Sequence, residues 1–185
     1  VVVPQFKYLA IDGEGHPEHN PSFQEKIAAL YGVAYTLKFM LKKVELQPDG
    51  YFDFVIPPLE TFWFMKGKDG FDPDKQKDWC WTLMIMQADY IREEHVEMAK
   101  KELFEKGKGN EHVHQLRLEK NADGKAVQLM HLGPYDEVGP TVEKLKHELK
   151  TKGLIPQGKY REIYLNDPRR VSREKIKTIC RMPYK

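Results

Sequence analysis

The chain has 185 residues, of which 41% are apolar, and it carries 30 lysines and arginines against 28 aspartates and glutamates. This length fits one domain or two small ones, and the formal net charge of +2 excludes the strongly basic surface of a typical nucleic-acid-binding domain. No apolar run reaches the roughly 20 residues that span a bilayer, and two cysteines without a CxxC motif favour a reduced, cytoplasmic protein.

The first half of the sequence predicts the order strand, helix, strand, strand. QFKYLAIDGEG alternates apolar and polar residues and then breaks at glycine, which indicates a strand ending at Asp12. Ser22 and Glu25 form a capping box, so we expect a helix to begin at Ser22. YFDFVIPPLETFWFM is extended, with a bend at Pro57 and Pro58, and WCWTLMIMQ is a buried strand.

The second half predicts the same order after a linking helix. The linker is the amphipathic stretch at about residues 90–107. HVHQLRLEKNADGKAVQLMHLGPY predicts a hairpin-like pair of strands, EVGPTVEKLKHELKTKG a helix, and YREIYL with the final alternating run two more strands. One face of that final run is expected to hold Ile176, Thr178, Cys180 and Met182.

The repeated order of elements predicts a duplicated fold. AIDGEG precedes the first helix as HLGPY precedes the second, and FDFVIPPLE and CWTLMIMQ correspond to REIYLNDPR and KTICRMPY. We therefore expect an α+β fold in a single domain over residues 1–185, built from βαββ units at about 5–90 and 112–185. The units would be related by a pseudo-twofold axis, with helices outside and a central ligand cleft where their inner faces meet.

Tryptophans and tyrosines are concentrated on the strands that would line this cleft. Trp63, Trp79 and Trp81 come from the first unit, and further tyrosines come from the second. Each of these side chains has a polar group that requires a partner, which favours half-open surfaces and flat aromatic ligands. An ordinary sealed core is the alternative, and the sequence leaves both open.

Glu162 is the residue that ordinary packing explains least. In KYREIYL, one strand face carries Tyr160, Glu162 and Tyr164, while the other carries aliphatic side chains and is expected to face the core. A buried carboxylate without a partner is costly, so it is protonated or paired. One alternative is a salt bridge to Arg161, Arg169 or Arg170, of which Arg161 is the least expected because it lies on the opposite face. The other is a carboxylate that faces a ligand, where it attracts a cation or acts as general base on water.

Metal sites and nucleophiles have weaker support. The loop DGEGHPEH offers acids and histidines without regular spacing, and His112 and His114, predicted on a strand, have no second group of ligands nearby in the sequence. Cys80 and Cys180 have no neighbouring base, and no nucleotide-binding or nucleophile-elbow motif occurs. We expect neither a metal nor a cofactor.

Five motifs in order resemble one family. AIDGEG, PPLETFWFM, WTLMIMQADYI, HLGPYDE and YREIYLNDPRR together resemble the GyrI-like small-molecule-binding domain proteins, above all their stand-alone bacterial members. The resemblance covers nearly the whole chain. It implies the duplicated βαββ (SHS2) fold and an aromatic cleft with a glutamate at its base, here Glu162. The family's aromatic pair after PLE, often two tryptophans, is Trp63 and Phe64 here, and the tyrosine of HLGPY is Tyr135.

The resemblance also implies a function. Some stand-alone members hydrolyse cyclopropane-bearing DNA-alkylating natural products without a cofactor, and by that likeness Glu162 would activate water. Tyr135 and Tyr164 would then hydrogen-bond the carbonyl oxygen that gains charge. The residues expected to hold the hydrophobic or aromatic ligand are Tyr8, Trp63, Phe64, Trp79, Trp81 and Tyr160. Direct contacts with nucleic acid or a membrane are not expected. The alternatives are a non-catalytic multidrug-binding or sequestering module and a gyrase-inhibitor-like protein-binding domain.

Overall fold

A computed structural model describes residues 1–67, 71–72 and 75–185. This part of the chain is a mixed α/β structure of eight strands and three α-helices. The strands are β1 (Val2–Val3), β2 (Phe6–Glu14), β3 (Leu59–Met65), β4 (Trp79–Gln87), β5 (Arg117–Asn121), β6 (Gly124–Leu132), β7 (Tyr160–Tyr164) and β8 (Lys177–Pro183). The helices are α1 (Pro21–Lys43), α2 (Glu93–Glu105) and α3 (Gly139–Thr151). Within the described residues, no helix combines the length and apolar character needed to cross a bilayer.

The chain folds into two compact units, each assembled from separate stretches. The first unit comprises Val1–Gln5, Pro58–Thr82 and Ala122–Lys185, and the second comprises Phe6–Pro57 and Leu83–Asn121. Along the chain, β2-α1-β3-β4 and β6-α3-β7-β8 both run strand, helix, strand, strand, as the sequence predicts. Each compact unit draws on both halves of the sequence. The duplication and the pseudo-twofold axis therefore remain predictions.

The first unit is a sheet with β7 near its middle. Its strand order is β1-β6-β8-β7-β3-β4, with β4 contributing residues up to Thr82. β7 pairs antiparallel with β3 on one side and with β8 on the other. Helix α3 packs on β6 and β8 through Val142, Leu145 and Leu149. β7 is therefore hydrogen-bonded to a strand on each side, and its side chains lie in register with those of β3 and β8.

The second unit packs two helices with the β2–β5 pair. β5 runs antiparallel to β2, from Phe6 opposite Asn121 to Ala10 opposite Arg117. Helices α1 and α2 lie against each other so closely that a Cβ on Gly32 would stand 3.0 Å from Leu103 Cδ2. A larger residue at position 32 would require the Leu103 side chain to shift, so glycine at this position allows the observed helix packing.

The predicted hairpin between β5 and β6 is wrong. β5 pairs with β2, whereas β6 pairs with β1 and β8. The link between the two strands contains Asp123, which is buried and accepts hydrogen bonds from Arg161 and Arg181 at 2.8 and 2.9 Å. A solvated hairpin turn would not make these contacts, and they direct the chain from one pairing to the other.

Three local predictions also need correction. Helix α1 is capped by Asn20, whose side chain accepts a hydrogen bond from Ser22 N at 3.0 Å, so it begins one residue before the predicted Ser22. β2 continues to Glu14 instead of ending at Asp12. His112 and His114 lie in a short 3-10 helix, Glu111–Gln115, rather than on a strand. The Asn110 side chain accepts from His112 N and caps that turn.

Candidate functional site

One face of the first unit's sheet is unusually polar. Residues directly opposite each other in an antiparallel pair lie on the same face, and Glu162 is opposite Thr61 on β3 and Cys180 on β8. The same register aligns Trp63 with Tyr160. We call this surface the Glu162 face, and it consists of Thr61, Trp63, His131, Tyr160, Glu162, Tyr164, Thr178 and Cys180.

The Glu162 carboxylate is held by three neutral donors. Tyr160 OH donates to Oε1 at 2.9 Å, and Tyr164 OH and Trp63 Nε1 donate to Oε2 at 2.8 and 3.1 Å. The side chain is buried, and within the described parts of the chain it forms no ion pair. A carboxylate held only by uncharged donors therefore lies at the centre of this face.

Burial dominates the proton equilibria of this cluster. It raises the pKa of Glu162 above the ordinary value, against the opposing effect of hydrogen bonds from Tyr164, Tyr160 and Trp63. Burial, reinforced by the Glu162 charge, also raises the pKa of Tyr160 and of Tyr164 well above 10. The phenols therefore stay protonated and donate, while the carboxyl group exchanges its proton closer to neutral pH than an exposed glutamate does.

Aromatic rings surround the carboxylate. The Trp63 and Trp79 rings meet edge to face with centroids 5.5 Å apart, and the Phe71 ring stacks on Tyr160 at 5.4 Å. Phe71 also contacts both indoles. Phe71 cannot be found by sequence reasoning of this kind, because the glycines and charged residues of its segment, KGKDGFDPDK, predict a polar loop. An aromatic residue in such a loop was the available signal.

A second aromatic contact lies at the more exposed side. The Tyr135 ring packs edge to face on the Tyr164 ring, with centroids 5.2 Å apart. Tyr135 is 38% exposed, and Tyr164 is partly exposed although its hydroxyl reaches Glu162. A ligand approaching from this side would meet Tyr135 first.

The structure brings together six of the predicted site residues: Trp63, Trp79, Tyr135, Tyr160, Glu162 and Tyr164. Phe64 follows Trp63 and therefore points to the other face of β3, where Lys159 Nζ lies 3.8 Å from its ring centroid. Trp81 shares a face of β4 with Trp79 but has no exposed surface. Tyr8 belongs to the second unit, where it is buried.

The opposite face of β7 carries a buried charge beside the aliphatic side chains that the sequence predicts for it. Arg161 is fully buried there, and its guanidinium pairs with Glu60 and with Asp123. Arg181 contacts the second Asp123 oxygen at 2.9 Å. Burial raises the pKa of Glu60, and the charge of Arg161 opposes that effect. We call these four residues the Arg161 network. It ties β7 to its neighbouring strands.

One group of possible metal ligands lies in the second unit. Within the described residues, Glu25, Glu111 and His112 bring one ligand atom each to within 4.8 Å of one another. Both carboxylates are exposed, and His112 Nε2 is already 3.1 Å from Glu25 Oε2. Such surface groups are common without an ion, so they give no reason to assign a metal. In the DGEGHPEH loop, Asp12 is paired with Arg117.

Comparisons with known proteins agree on a family. The chain matches the GyrI-like small molecule binding domain over residues 1–185. A hydrolase from Listeria innocua is 36% identical with a TM-score of 0.84, and an uncharacterized conserved protein from the same organism is 38% identical with a TM-score of 0.88. Each alignment covers 100% of this chain and 90% of the other.

A more distant protein is similar to this chain in fold alone. The EcmrR C-terminal domain is 13% identical with a TM-score of 0.61, and the alignment covers 100% of this chain and 94% of that one. At this identity a shared function does not follow from a shared fold. A comparison with curated proteins finds no significant match.

Proposed function

The chain belongs to the GyrI-like small-molecule-binding domain family, and on that premise we propose that it binds a hydrophobic, planar molecule at the Glu162 face and hydrolyses a strained cyclopropane within it. The observation that carries the proposal is the Glu162 carboxylate, which is buried and held by three neutral donors. A titratable group with a raised pKa among ligand-binding side chains is a typical general base.

A purely structural role explains Glu162 poorly. Elsewhere in the same unit, a buried carboxylate that ties strands together is paired with arginine, as Glu60 is with Arg161. Glu162 instead accepts from Trp63, Tyr160 and Tyr164, which leave its charge uncompensated. Such an arrangement keeps a base available for a substrate.

The hydrogen-bond pattern also indicates which oxygen is the base. Each carboxylate oxygen has two acceptor sites. Oε2 accepts from both Trp63 and Tyr164, so its two sites are in use. Oε1 accepts from Tyr160 at 2.9 Å and, counting contacts of the described residues, keeps one site. We assign Oε1 as the atom that takes the proton of water.

The proposed reaction adds one water to the ligand. The oxygen of water forms a bond to the cyclopropane CH₂ carbon, and a ring C–C bond breaks. Its electron pair moves through the conjugated system to the carbonyl oxygen. A hydrogen bond from Tyr135 would stabilise the developing charge there, and Tyr164 would add a second once its hydroxyl turns away from Glu162, which has then taken a proton. The proton released to Glu162 then returns to that oxygen. Nothing is oxidised or reduced, so the chemistry requires no cofactor.

Ligand binding would use the partly exposed rings. Trp79, Phe71, Tyr135 and Tyr164 all retain some exposed surface, and Trp63 with Tyr160 lies behind them. Flat aromatic rings suit this surface because aromatic contacts tolerate varied chemistry. A direct role for Tyr8, Phe64 and Trp81 in binding stays a prediction. Cys80 and Cys180 are not joined by a disulfide, which is consistent with the reduced, cytoplasmic location that we propose.

A non-catalytic drug-binding module is the second candidate. A carboxylate without a cationic partner among the described residues would also attract a cationic ligand. Two findings favour hydrolysis: the raised pKa of Glu162, which suits a base, and a hydrolase among the structural relatives.

Turnover separates these candidates. A catalytic amount of protein is incubated with an excess of a cyclopropane-bearing alkylating agent, and mass spectrometry follows the gain of one water. We expect many equivalents of hydrated product per protein. Product limited to one equivalent or less would establish sequestration instead. The Glu162→Gln variant, which keeps the shape but lacks the base, serves as the matched control.

A further inference from the structure

Two threonines on the Glu162 face have unexplained hydroxyl groups. Thr61 and Thr178 are both 0% exposed, and neither Oγ1 has a hydrogen-bond partner within the described residues. Burying a hydroxyl without a partner is unfavourable, whereas valine has the same shape and no such group to satisfy. Each such hydroxyl in a folded protein therefore requires an explanation.

Their positions connect them to the proposed reaction. Thr61 on β3 lies directly opposite Glu162, and Thr178 on β8 lies directly opposite Tyr164. Opposite residues in an antiparallel sheet have Cβ atoms roughly 4.5–5.5 Å apart. The two hydroxyls therefore flank the carboxylate and its phenol donor from the two neighbouring strands.

The Thr61 hydroxyl also lies near the Tyr164 phenol. Burial raises the pKa of Tyr164, and hydrogen bonding toward the Thr61 hydroxyl acts in the opposite direction. It is therefore close to the Tyr164 phenol, although its geometry does not make a hydrogen bond with it. A small polar molecule bound beside both groups would satisfy the threonine.

Another buried threonine of the same unit shows the contrast. Thr141 Oγ1 lies 2.9 Å from His131 Nδ1, and His131 Nε2 donates to Pro134 O at 3.1 Å. This hydroxyl is satisfied within the protein and orders the turn before Tyr135. Thr61 and Thr178 are buried to at least the same extent but lack such a protein partner in the described structure.

We propose that Thr61 and Thr178 each bind a water molecule beside the Glu162–Tyr164 pair, and that these waters supply the nucleophile for hydrolysis. A buried water needs two to four polar partners. Thr61 and the unused Glu162 acceptor site serve one water, and Thr178 and the Tyr164 oxygen serve the other. The inference rests on the proposed function for the use of the waters, but the water sites themselves can be tested without turnover.

The first measurement is a crystal structure of the wild-type protein at a resolution that shows ordered water. We expect density for water within hydrogen-bond distance of Thr61 Oγ1 and Thr178 Oγ1, and its loss in Thr61→Val and Thr178→Val. Absence of water density beside both hydroxyls in the wild type would overturn the water sites, whatever the activity of the protein.

The second measurement separates structural from functional hydroxyls. We expect Thr61→Val and Thr178→Val to lower Tm less than Thr141→Val, because their hydroxyls bind only water, whose immobilisation offsets part of the gain, whereas Thr141→Val removes the protein partner of His131 Nδ1. A drop in Tm as large as that of Thr141→Val would mean that Thr61 and Thr178 have partners within the protein, which contradicts the proposal.

The third measurement concerns use of the waters. The valine variants should lower kcat about tenfold or more, the effect of losing one hydrogen bond in the transition state, with little change in KM. Thr61→Ser and Thr178→Ser, which keep the hydroxyl, should retain turnover. If the wild type binds the waters but the valine variants keep the wild-type kcat, the nucleophile role is overturned. Bound water without any wild-type turnover would instead contradict the proposed hydrolysis and leave the water sites standing.

Discussion

The two faces of β7 hold buried carboxylates in opposite circumstances. On one face, Glu60 is paired with Arg161 in the Arg161 network. On the other, Glu162 accepts only from neutral donors. Burial raises the pKa of both acids, but Glu60 is paired directly with a guanidinium, whereas Glu162 has, among the described residues, neutral hydrogen-bond donors and a smaller electrostatic effect of His131. The comparison teaches that burial alone does not distinguish a functional acid from a structural one, whereas the identity of its partners does.

Removing the base should have the largest effect on activity. Glu162→Gln keeps the side-chain shape, so we expect ligand binding to survive while kcat falls by about 10²–10⁴-fold, the usual contribution of a general base. Steady-state hydration of a cyclopropane-bearing substrate measures this effect. Weaker binding in the variant, with no turnover in the wild type, would support cation recognition instead. If the variant keeps both ligand binding and turnover, Glu162 has a structural role, as Glu60 does.

Removing the buried cation on the other face of β7 should lower the free energy of unfolding rather than the activity. Arg161→Met would leave Glu60 buried without its cation and Asp123 with Arg181 alone, and removing one partner of a buried pair typically costs about 3–5 kcal/mol of unfolding free energy. Urea denaturation of the variant and the wild type gives the difference. Arg169→Ala is the matched control, because the Arg169–Asp167 pair is exposed and should contribute little. Equal effects of the two changes would contradict the assigned structural role of the network.

The two neighbouring aromatics of β3 offer a sharper version of the same comparison. Trp63→Ala should weaken binding of a planar ligand by about 1–3 kcal/mol, the range for stacking of a base on an aromatic side chain. Phe64→Ala should leave affinity nearly unchanged, because Phe64 lies on the opposite face against Lys159. Fluorescence titration or calorimetry measures both. A larger loss for Phe64→Ala would move the ligand to the Arg161 side of the sheet.

The smallest expected effect is a pH dependence of stability. Burial raises the folded-state pKa of Glu162 above the value of about 4.3 in an unfolded chain, so the folded state holds the proton to higher pH. Between those two values, ionisation disfavours folding. The Tm of the wild type should therefore fall relative to that of Glu162→Gln as pH rises from about 4 toward neutrality. A relative rise would mean that the three hydrogen bonds outweigh burial.

Much of the local structure and the site's central residue could be predicted from the sequence alone. Alternation in KYREIYL indicated a strand with Glu162 between two tyrosines, and the structure has β7 there with both phenols bonded to that carboxylate. The shared face predicted for the final run is likewise confirmed, with Thr178, Cys180 and Met182 alternating along β8 and all buried. Such predictions succeed because side-chain alternation depends only on residues close together in the sequence.

Only the tertiary structure decided which of these side chains meet. The Trp63–Glu162 hydrogen bond joins residues 99 positions apart, and Arg161 reaches a partner 101 positions away. Phe71 packs on Tyr160, although its own segment looked like an ordinary polar loop. Strand pairing and burial are determined by long-range contacts that leave no periodic signal in either segment. The sequence by itself therefore determined an acid between two tyrosines on a strand, and the fold supplied the indole beside it and the arginine behind it.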